Sequence, residues 1–337
     1  MISQARTVQI QNLGSADVLQ IVTLPLRRPD SGEVLVRHEW IGLNFTDIYQ
    51  RNGTHPSKFE MPLSLGMEAA GLVEAVGAGV THLKAGDRVA YATHPPGSYS
   101  EARVMPAQNV CKLPDAIGFD TAAAMMLKGL TAHYLLKRCQ PPGGLHGGDP
   151  VLFHAAAGGV GLIFCQWACY LGLKVIATAG SDEKCALALE NGAAHAINYN
   201  TEDFALRVDD ITGGEGVAAA YDAVGQDTWH RSISCLRRFG LAVSFGMASG
   251  PVPPVDMMAL GKRAGYVTFQ SVFNFTTSRE ATLIMAEDLF DVVARGAVKV
   301  LISRRFALDQ IRDAHLEMES RRTVGSVIVS PVQGRST

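Results

Sequence analysis

The stretch that most constrains the fold of this chain is residues 151–161, which read Val-Leu-Phe-His-Ala-Ala-Ala-Gly-Gly-Val-Gly. The apolar start of the stretch has the length of a buried strand. In the segment that follows, residues 162–172, apolar side chains recur at helical spacing. The sequence therefore predicts a strand, a glycine turn and a helix in direct succession.

The small residues of this turn fit the spacing of a dinucleotide-binding fingerprint, with alanine in the first place. Small side chains let the backbone turn tightly and approach a pyrophosphate, and the last glycine lets the helix pack on the strand. The phosphates would meet the positive end of the helix dipole. Taken alone, the pattern fits a purely structural turn equally well. The predicted cofactor turn comprises Ala156, Gly158, Gly159, Val160 and Gly161.

Strands and helices alternate after this turn. Strands are predicted at residues 174–178, 195–199, 217–222 and 241–245, and helices at residues 181–190, 201–211 and 227–236. The alternation predicts a parallel sheet with helices on both faces, which binds ligands at the carboxyl ends of its strands. In this prediction residues 241–245 form the last strand of the sheet. The glycine-rich residues 140–149 form a surface loop that precedes the fingerprint strand.

Length and composition limit the classes of function. The chain has 337 residues, of which 47% are hydrophobic and 18% charged, and such a chain forms about two domains. A net charge of -2 gives no electrostatic basis for binding nucleic acid or an acidic membrane surface. The sequence has neither an apolar stretch of bilayer length nor the layout of a signal peptide. We therefore expect a soluble cytoplasmic protein whose six cysteines are reduced packing residues.

The amino-terminal half is mostly β, with short strand-like runs separated by turn residues. The strand-like runs are residues 8–10, 19–22 and 34–38. Further motifs follow at residues 42–47 (Gly-Leu-Asn-Phe-Thr-Asp), 62–80 (beginning Pro-Leu-Ser-Leu-Gly-Met-Glu), 86–89, 97–101 and 128–132 (Lys-Gly-Leu-Thr-Ala).

The order of these motifs, together with residues 154–161, resembles the zinc-independent quinone oxidoreductases of the zeta-crystallin type, in the medium-chain dehydrogenase/reductase superfamily. The resemblance runs from about Val8 to Val329. It implies a GroES-like, mostly β catalytic domain at residues 1–127 and 273–337. It also implies a Rossmann-type, doubly wound NADP-binding domain at residues 128–272, and a tendency to form homodimers.

The end of the second strand of the parallel sheet bears on the choice of dinucleotide. A site specific for NAD would carry an acidic residue there, whereas this chain has Thr178-Ala179-Gly180. Two acidic residues follow, but they fall in the first turn of a helix capped by Ser181, where the helix dipole favours acids for structural reasons. The sequence therefore favours NADP(H) over NAD(H).

The resemblance adds residues to the cofactor site. In the family, the lysine and the tyrosine at two of these positions contact the 2'-phosphate of NADP, and an arginine near the carboxyl end also reaches the cofactor. The glycine-rich segment after the strand at residues 241–245 is expected to border the nicotinamide. The predicted NADP(H) contacts outside the turn are Ser181, Lys184, Tyr199, Phe245, Gly246 and Arg321.

Zinc is expected to be absent. Zinc-dependent proteins of this fold use a cysteine in the early loop, a histidine in a Gly-His-Glu motif and four closely spaced cysteines in a structural lobe. This chain has Asn44 in the early loop and Met67 in the second motif, and no cysteine precedes Cys111. Because the ligand positions are vacated, neither a catalytic nor a structural tetrahedral zinc site is predicted.

Without a Lewis acid, hydride transfer needs an acceptor that is already electron-poor. In the family, residues matching Asn44 and Tyr49 face the nicotinamide and the substrate, and the residue matching Thr131 lies beside the nicotinamide. Asn44 and Tyr49 can donate hydrogen bonds to an oxygen that gains negative charge. The structural alternative is that Asn44 only holds a turn and Tyr49 only packs. We find no Ser-His-Asp arrangement or paired carboxylates in the sequence that compete for the catalytic role.

The predicted reaction is NADPH-dependent reduction of a quinone or other α,β-unsaturated carbonyl, by hydride transfer in a metal-free cleft between the domains. One alternative is a reductase of conjugated carbon-carbon double bonds, such as enones or 2-haloacrylates. Another is a non-catalytic NADP-binding protein of the crystallin kind. The acceptor stays open because Phe269-Gln270 replaces a common Arg-Pro pair and His55 stands where some relatives have tyrosine.

Overall fold

The computed structural model describes residues 2–332. The strands are, in chain order, β1 (Gln4–Ile10), β2 (Gln20–Pro25), β3 (Glu33–Gly42), β4 (Leu63–Ser64), β5 (Glu68–Val76), β6 (Arg88–Ala92), β7 (Ala102–Pro106), β8 (Cys111–Lys112), β9 (Pro150–Phe153), β10 (Lys174–Ala179), β11 (His195–Asn198), β12 (Val217–Asp222), β13 (Leu236–Ser244), β14 (Tyr266–Phe269), β15 (Ile302–Ala307) and β16 (Ser326–Ser330). The α-helices are α1 (Phe45–Asn52), α2 (Phe119–Lys137), α3 (Gly159–Tyr170), α4 (Asp182–Glu190), α5 (Phe204–Thr212), α6 (Trp229–Ser234), α7 (Met257–Lys262), α8 (Arg279–Ala294) and α9 (Ile311–Glu319).

The chain divides into two compact units. Among the described residues, the first unit comprises 2–128, 276–294 and 300–332. The second unit comprises Gly129–Phe275 and Arg295–Lys299. Along the chain, the first division between the units falls within α2.

The second unit contains a parallel sheet with the strand order β11-β10-β9-β12-β13-β14. The chain runs outward from β9 through β10 to β11, and then crosses to β12 on the other side of β9. The carboxyl ends of β9 and β12 therefore form the point where the strand order reverses, which is where open α/β sheets bind ligands. The predicted α/β class and the predicted parallel sheet are confirmed.

Two sequence predictions in the second unit are wrong. Residues 241–245 are not in the last strand of the sheet, because β14 follows and pairs with β13. The helix predicted at residues 227–236 is the shorter α6, and Leu236 instead begins β13. In both places pairing with a neighbouring strand decides the structure, and this pairing is not visible in the local pattern of apolar residues.

The first unit is built on two sheets. One sheet has the order β2-β1-β4, and the other has the order β15-β16-β3-β5-β6-β8, with β7 paired to β3. Alternate residues of these strands are buried in one apolar core, which includes Val8, Val36, Ile41, Val73 and Val329.

Helix α1 follows β3 and contributes Ile48 to this core. It ends at Asn52 and is capped by Gly53, whose left-handed φ of 82° suits glycine. Within residues 2–332 no helix combines the length and the apolar character that a membrane span requires.

Candidate functional site

The predicted cofactor turn follows β9 at the carboxyl edge of the parallel sheet, and its last three residues form the start of α3. The backbone N–H of Ala156 donates to the carbonyl of Thr178 at 3.1 Å, which ties the turn to β10. A Cβ on Gly161 would lie 2.6 Å from the Cα of Ala156, so only glycine lets α3 approach the strand this closely. Gly158 precedes α3 and supplies no side-chain cap, so the first N–H groups of α3 suit an anionic ligand.

The two acidic residues in the first turn of α4, directly after β10, interact with neighbouring side chains of the protein. Ser181 caps α4, with its Oγ accepting from the N–H of Lys184 at 3.3 Å, as predicted. Asp182 accepts a hydrogen bond from the Asn198 amide at 2.7 Å, and the Ser181 hydroxyl helps lower the pKa of Glu183. These two carboxylates therefore stabilise the fold around α4.

Tyr199 lies against the turn that leads into α4. A Cβ on Gly180 would be 2.6 Å from the Tyr199 hydroxyl, so glycine is needed there to admit the ring. Lys184 is in the first turn of α4, and partial burial lowers the pKa of its ammonium. The Tyr199 hydroxyl and the Lys184 ammonium are both hydrogen-bond donors of the kind that suits a phosphate group.

The remaining cofactor-binding predictions and the predicted catalytic residue Thr131 are divided between the two units. Phe245 and Gly246 follow β13. The Phe245 N–H donates to the carbonyl of Asp222 at 2.9 Å, and its ring centroid is 5.7 Å from that of Phe153. Thr131 is buried in the part of α2 that belongs to the second unit. Arg321 belongs to the first unit, where it follows α9 with a left-handed φ of 57°.

A buried polar cluster beneath the cofactor turn was missed by the sequence analysis. His154 Nδ1 is 2.8 Å from the Thr178 hydroxyl, and His154 Nε2 is 2.9 Å from the Ser232 hydroxyl. Ser232 donates to Asp222 at 2.7 Å, and burial lowers the pKa of His154. These three residues form a Ser-His-Asp arrangement, although the sequence analysis expected none that competes for the catalytic role. Because the serine donates directly to the carboxylate, the cluster joins β9, β10, β12 and α6 and does not activate a nucleophile.

The predicted catalytic residues of the first unit lie at α1. Asn44 is the N-cap of α1 and is buried, and its Nδ2 donates to Glu68 Oε1 at 2.9 Å. Glu68 Oε1 also accepts from Lys128 Nζ at 2.6 Å. Tyr49 is half-buried on α1, with its ring centroid 6.4 Å from that of Phe45. The structure thus places Asn44 and Tyr49 at the same short helix.

The backbone of Asn44 is held by Asp47, a second residue that the sequence analysis did not assign. Asp47 Oδ2 accepts from the Asn44 N–H at 2.9 Å and from the Tyr99 hydroxyl at 2.8 Å. Burial raises the pKa of Asp47 to about 7. Within residues 2–332 its Oδ1 is buried without a hydrogen-bond partner.

A row of donors leads to Asp47 from the surface of the first unit. Arg51 pairs with Glu319 at 2.5 Å and lies 3.0 Å from His315 Nδ1. Arginine can only donate, so His315 Nδ1 accepts and its Nε2 carries the hydrogen. Nε2 is 3.2 Å from the Tyr99 hydroxyl, and burial lowers the pKa of His315 to about 3. We call Arg51, His315, Tyr99 and Asp47 the donor row.

The donors around Asn44 do not suit zinc. Met67 offers a thioether that accepts from the Gln50 amide at 3.2 Å, and Glu68 is paired with the Lys128 ammonium. Tetrahedral zinc sites use thiolate, imidazole or free carboxylate ligands. The Glu68 carboxylate is not free in this sense, because the Lys128 ammonium already balances its charge. Within residues 2–332 no three His, Cys, Asp or Glu side chains are grouped so that they could hold a metal ion.

Two family models match separate segments of the chain. Residues 30–115 match the family model described as the alcohol dehydrogenase GroES-like domain. Residues 159–287 match the model described as zinc-binding dehydrogenase, a segment that excludes both Asn44 and Glu68.

Close relatives cover nearly the whole chain. A quinone oxidoreductase of Pseudomonas aeruginosa is 45% identical over 97% of this chain and 100% of its own length. A 2-haloacrylate reductase of Burkholderia sp. is 40% identical over 90% of this chain and 92% of its own length. The crystal structure of Escherichia coli quinone oxidoreductase complexed with NADPH superimposes with a TM-score of 0.92 at 44% identity, covering 97% of this chain and 100% of that one. The family predicted from the order of the motifs is thereby confirmed, and the chain belongs to the quinone oxidoreductase family of the medium-chain dehydrogenase/reductase superfamily.

Proposed function

We propose that the protein is an NADPH-dependent oxidoreductase that reduces quinones or related α,β-unsaturated carbonyl compounds without a metal ion. The observation that carries this proposal is the buried Asn44 amide at α1. Within residues 2–332, one of its two N–H groups is engaged by Glu68 Oε1. The amide therefore retains a second hydrogen that it can donate to the oxygen of an acceptor.

The second unit is the proposed cofactor domain. The N–H groups at the start of α3 would bind the pyrophosphate, and Lys184 and Tyr199 would bind the 2'-phosphate. When bound, NADPH supplies the hydride. The geometry after β10 supports NADPH over NADH, because Asp182 is engaged by Asn198 and is not left to bind a ribose hydroxyl.

Replacing Lys184 by alanine is expected to weaken NADPH binding by at least about tenfold, since one charge-assisted hydrogen bond to phosphate is lost. NADH lacks this phosphate, so its affinity should be nearly unchanged. Fluorescence titration of both cofactors measures the difference. Equal losses for NADPH and NADH would show that Lys184 acts on the fold of α4 and not on the phosphate.

The first unit is the proposed catalytic domain. As hydride reaches a quinone or an enone, an oxygen of the acceptor gains negative charge. The Asn44 amide and the Tyr49 hydroxyl would stabilise that charge, and Tyr49 or water would then protonate the oxygen. Neutral donors are sufficient because such acceptors are already electron-poor.

Steady-state rates with a panel of acceptors test this reaction. We expect NADPH oxidation to be fastest with quinones, slower with simple enones, and at most weak with saturated ketones. A clear preference for 2-haloacrylates over quinones would instead indicate that this protein shares the activity of the 40% identical 2-haloacrylate reductase. Oxidation of simple secondary alcohols with NADP would overturn the reaction class. Cofactor binding without turnover of any acceptor would favour a non-catalytic, crystallin-like role.

We also propose that the protein forms a homodimer through the edge of the parallel sheet. Strand β14 is at the end of the strand order, and Tyr266 and Phe269 on it are 45% and 51% exposed. An edge strand with exposed aromatic side chains invites pairing with a second copy.

Light scattering coupled to size exclusion is expected to give a dimer mass for the wild type. The double variant Tyr266→Glu/Phe269→Glu should be monomeric, because two negative charges would face their symmetry mates. The control Leu206→Glu changes a residue on α5 that is 67% exposed, and should leave the dimer intact. A monomeric wild type at micromolar concentration would contradict the proposal.

A reducing compartment such as the cytoplasm is the proposed location. Within residues 2–332 the cysteines are all free thiols. Burial raises the pKa of Cys111, Cys165 and Cys235 to about 12, which makes these thiols unreactive packing groups.

A further inference from the structure

The Glu68 carboxylate at the start of β5 is fully buried and is shared by donors from two helices. Its Oε1 accepts from Asn44 Nδ2 at 2.9 Å and from Lys128 Nζ at 2.6 Å, and its Oε2 accepts from the Leu127 N–H at 2.6 Å. The side chains of Glu68 and Lys128 are 0% and 7% exposed. Glu68 therefore joins α1, β5 and α2 through one carboxylate.

The carboxylate decides which way the Asn44 amide faces. An ionised carboxylate only accepts hydrogen bonds, so Asn44 must present Nδ2 and not its carbonyl oxygen. A flipped amide would place two acceptors against each other in a buried site, at a high cost in free energy. Glu68 thus fixes the direction of the remaining Asn44 N–H as well as the position of the amide plane.

Lys128 and the neighbouring backbone hold the carboxylate itself in place. The Lys128 ammonium balances a charge that would otherwise be buried without a partner. On β3, a Cβ at Gly42 would overlap Glu68 Oε1, so the strand backbone packs directly against this oxygen. Together with the bond from the Asn44 N–H to Asp47, these contacts fix both the backbone and the side chain of Asn44.

We propose that Glu68 and Lys128 are positioning residues of the reaction, which act by keeping the second N–H of Asn44 directed at the oxygen of the acceptor. The inference rests on the proposed function, because it gives Asn44 the task of stabilising that oxygen. It assigns a catalytic purpose to a buried ion pair that would otherwise be only structural. Small errors in the placement of a catalytic donor lower the rate far more than they weaken binding.

Replacing Glu68 by glutamine tests the positioning role with little change of shape. Glutamine has one acceptor oxygen in place of two, so it cannot serve Asn44, Lys128 and Leu127 together, and its NH2 group allows the Asn44 amide to flip. We expect kcat for the best acceptor to fall by about 10- to 100-fold. The affinity for NADPH, measured by fluorescence titration, should stay within about twofold.

A double-mutant cycle with Asn44→Ala shows whether Glu68 acts through Asn44. If it does, Glu68→Gln in the Asn44→Ala background should lower kcat no further. Additive losses would overturn the proposal, and so would an unchanged kcat in Glu68→Gln while Asn44→Ala loses activity. If Asn44→Ala itself leaves kcat unchanged, the proposed function and the positioning role both fall.

Two further variants distinguish a positioning role of the ion pair from an effect on the stability of the fold. Lys128→Met leaves a buried carboxylate without its cation and should unfold at a lower temperature. The neutral pair Glu68→Gln/Lys128→Met should regain most of that thermal stability, while its kcat stays at least about tenfold below wild type. Recovery of kcat along with stability would show a merely structural role and overturn the proposal.

The matched control is Thr7→Val in the same unit. It removes a buried contact between the Thr7 and Ser100 hydroxyls, which are 2.8 Å apart, with almost no change in shape. We expect a lower unfolding temperature for this variant and a kcat within about twofold of wild type. A kcat loss as large as that of Glu68→Gln would show that any weakening of this core lowers activity, and the proposal would fall.

Discussion

Replacing Asn44 by alanine should lower kcat for the best acceptor by about 100- to 1,000-fold, because a donor aimed at developing charge is removed. The fold should tolerate the change, since Glu68 keeps its bonds from Lys128 and Leu127. NADPH affinity should hardly change, because the contacts proposed for the pyrophosphate and the 2'-phosphate lie in the second unit and do not involve Asn44. Stopped-flow rates of NADPH oxidation, together with fluorescence titration of the cofactor, measure both quantities.

Tyr49→Phe supplies a second test of the same site. It removes one hydroxyl and keeps the ring, which is packed near Phe45. If Asn44→Ala and Tyr49→Phe both left kcat unchanged, the assignment of the catalytic site to α1 would be wrong. A loss confined to KM would instead mean that these groups bind the acceptor in the ground state only.

Stability should fall as pH rises towards 7 because of Asp47. Burial raises the pKa of this carboxyl in the folded protein from 3.8 to about 7. Between these values the folded state binds a proton that the unfolded state does not, so the free energy of unfolding should decrease by about 1.4 kcal/mol per pH unit from this group. The contribution is complete below the unfolded pKa and is lost as pH passes through the folded one.

Asp47→Asn isolates this effect. The asparagine Oδ1 can accept from both the Asn44 N–H and the Tyr99 hydroxyl, and its NH2 group would replace the unpartnered oxygen. Burial lowers the pKa of His38, His94 and His315, which titrate in both proteins, so the difference between the two stability curves reports Asp47 alone. Urea unfolding between pH 4 and 8 should give curves that diverge towards high pH, with the variant the more stable. Parallel curves would contradict the raised pKa.

The fold of the second unit could be predicted well from the sequence because its signals are local. Strand β12 has the predicted bounds, Val217–Asp222, and Ser181 caps α4 as its side chain suggests. The first prediction depends on the period of apolar residues, and the second depends on a single capping oxygen. Both signals lie within a few residues of the element that they predict. Strand β14 has only four residues and follows an irregular segment, so it becomes a strand only because β13 offers a partner.

The polar core of the first unit could be predicted only in part. The motif around Asn44 makes that residue a candidate, yet Glu68 and Lys128, which lie 60 positions apart, meet only in the folded chain. A charged residue within the apolar run that begins β5 was the available signal, since a buried acid needs a partner. The partner itself could not be named from the sequence. His154, Ser232 and Asp222 were missed for the same reason.

The donor row that ends at Asp47 has a consequence for how the interior of the first unit meets water. Arg51 has only donor groups, and it donates outward to Glu319, whose side chain is 33% exposed. From Arg51 through His315 and Tyr99 to the accepting carboxylate of Asp47, the hydrogens of the row point inward. The Tyr99 hydroxyl is fully buried within this row. Its hydrogen can be exchanged for deuterium only when the surrounding packing opens. The exchange rate of that one hydrogen in heavy water therefore reports how often the first unit, which holds Asn44, opens locally.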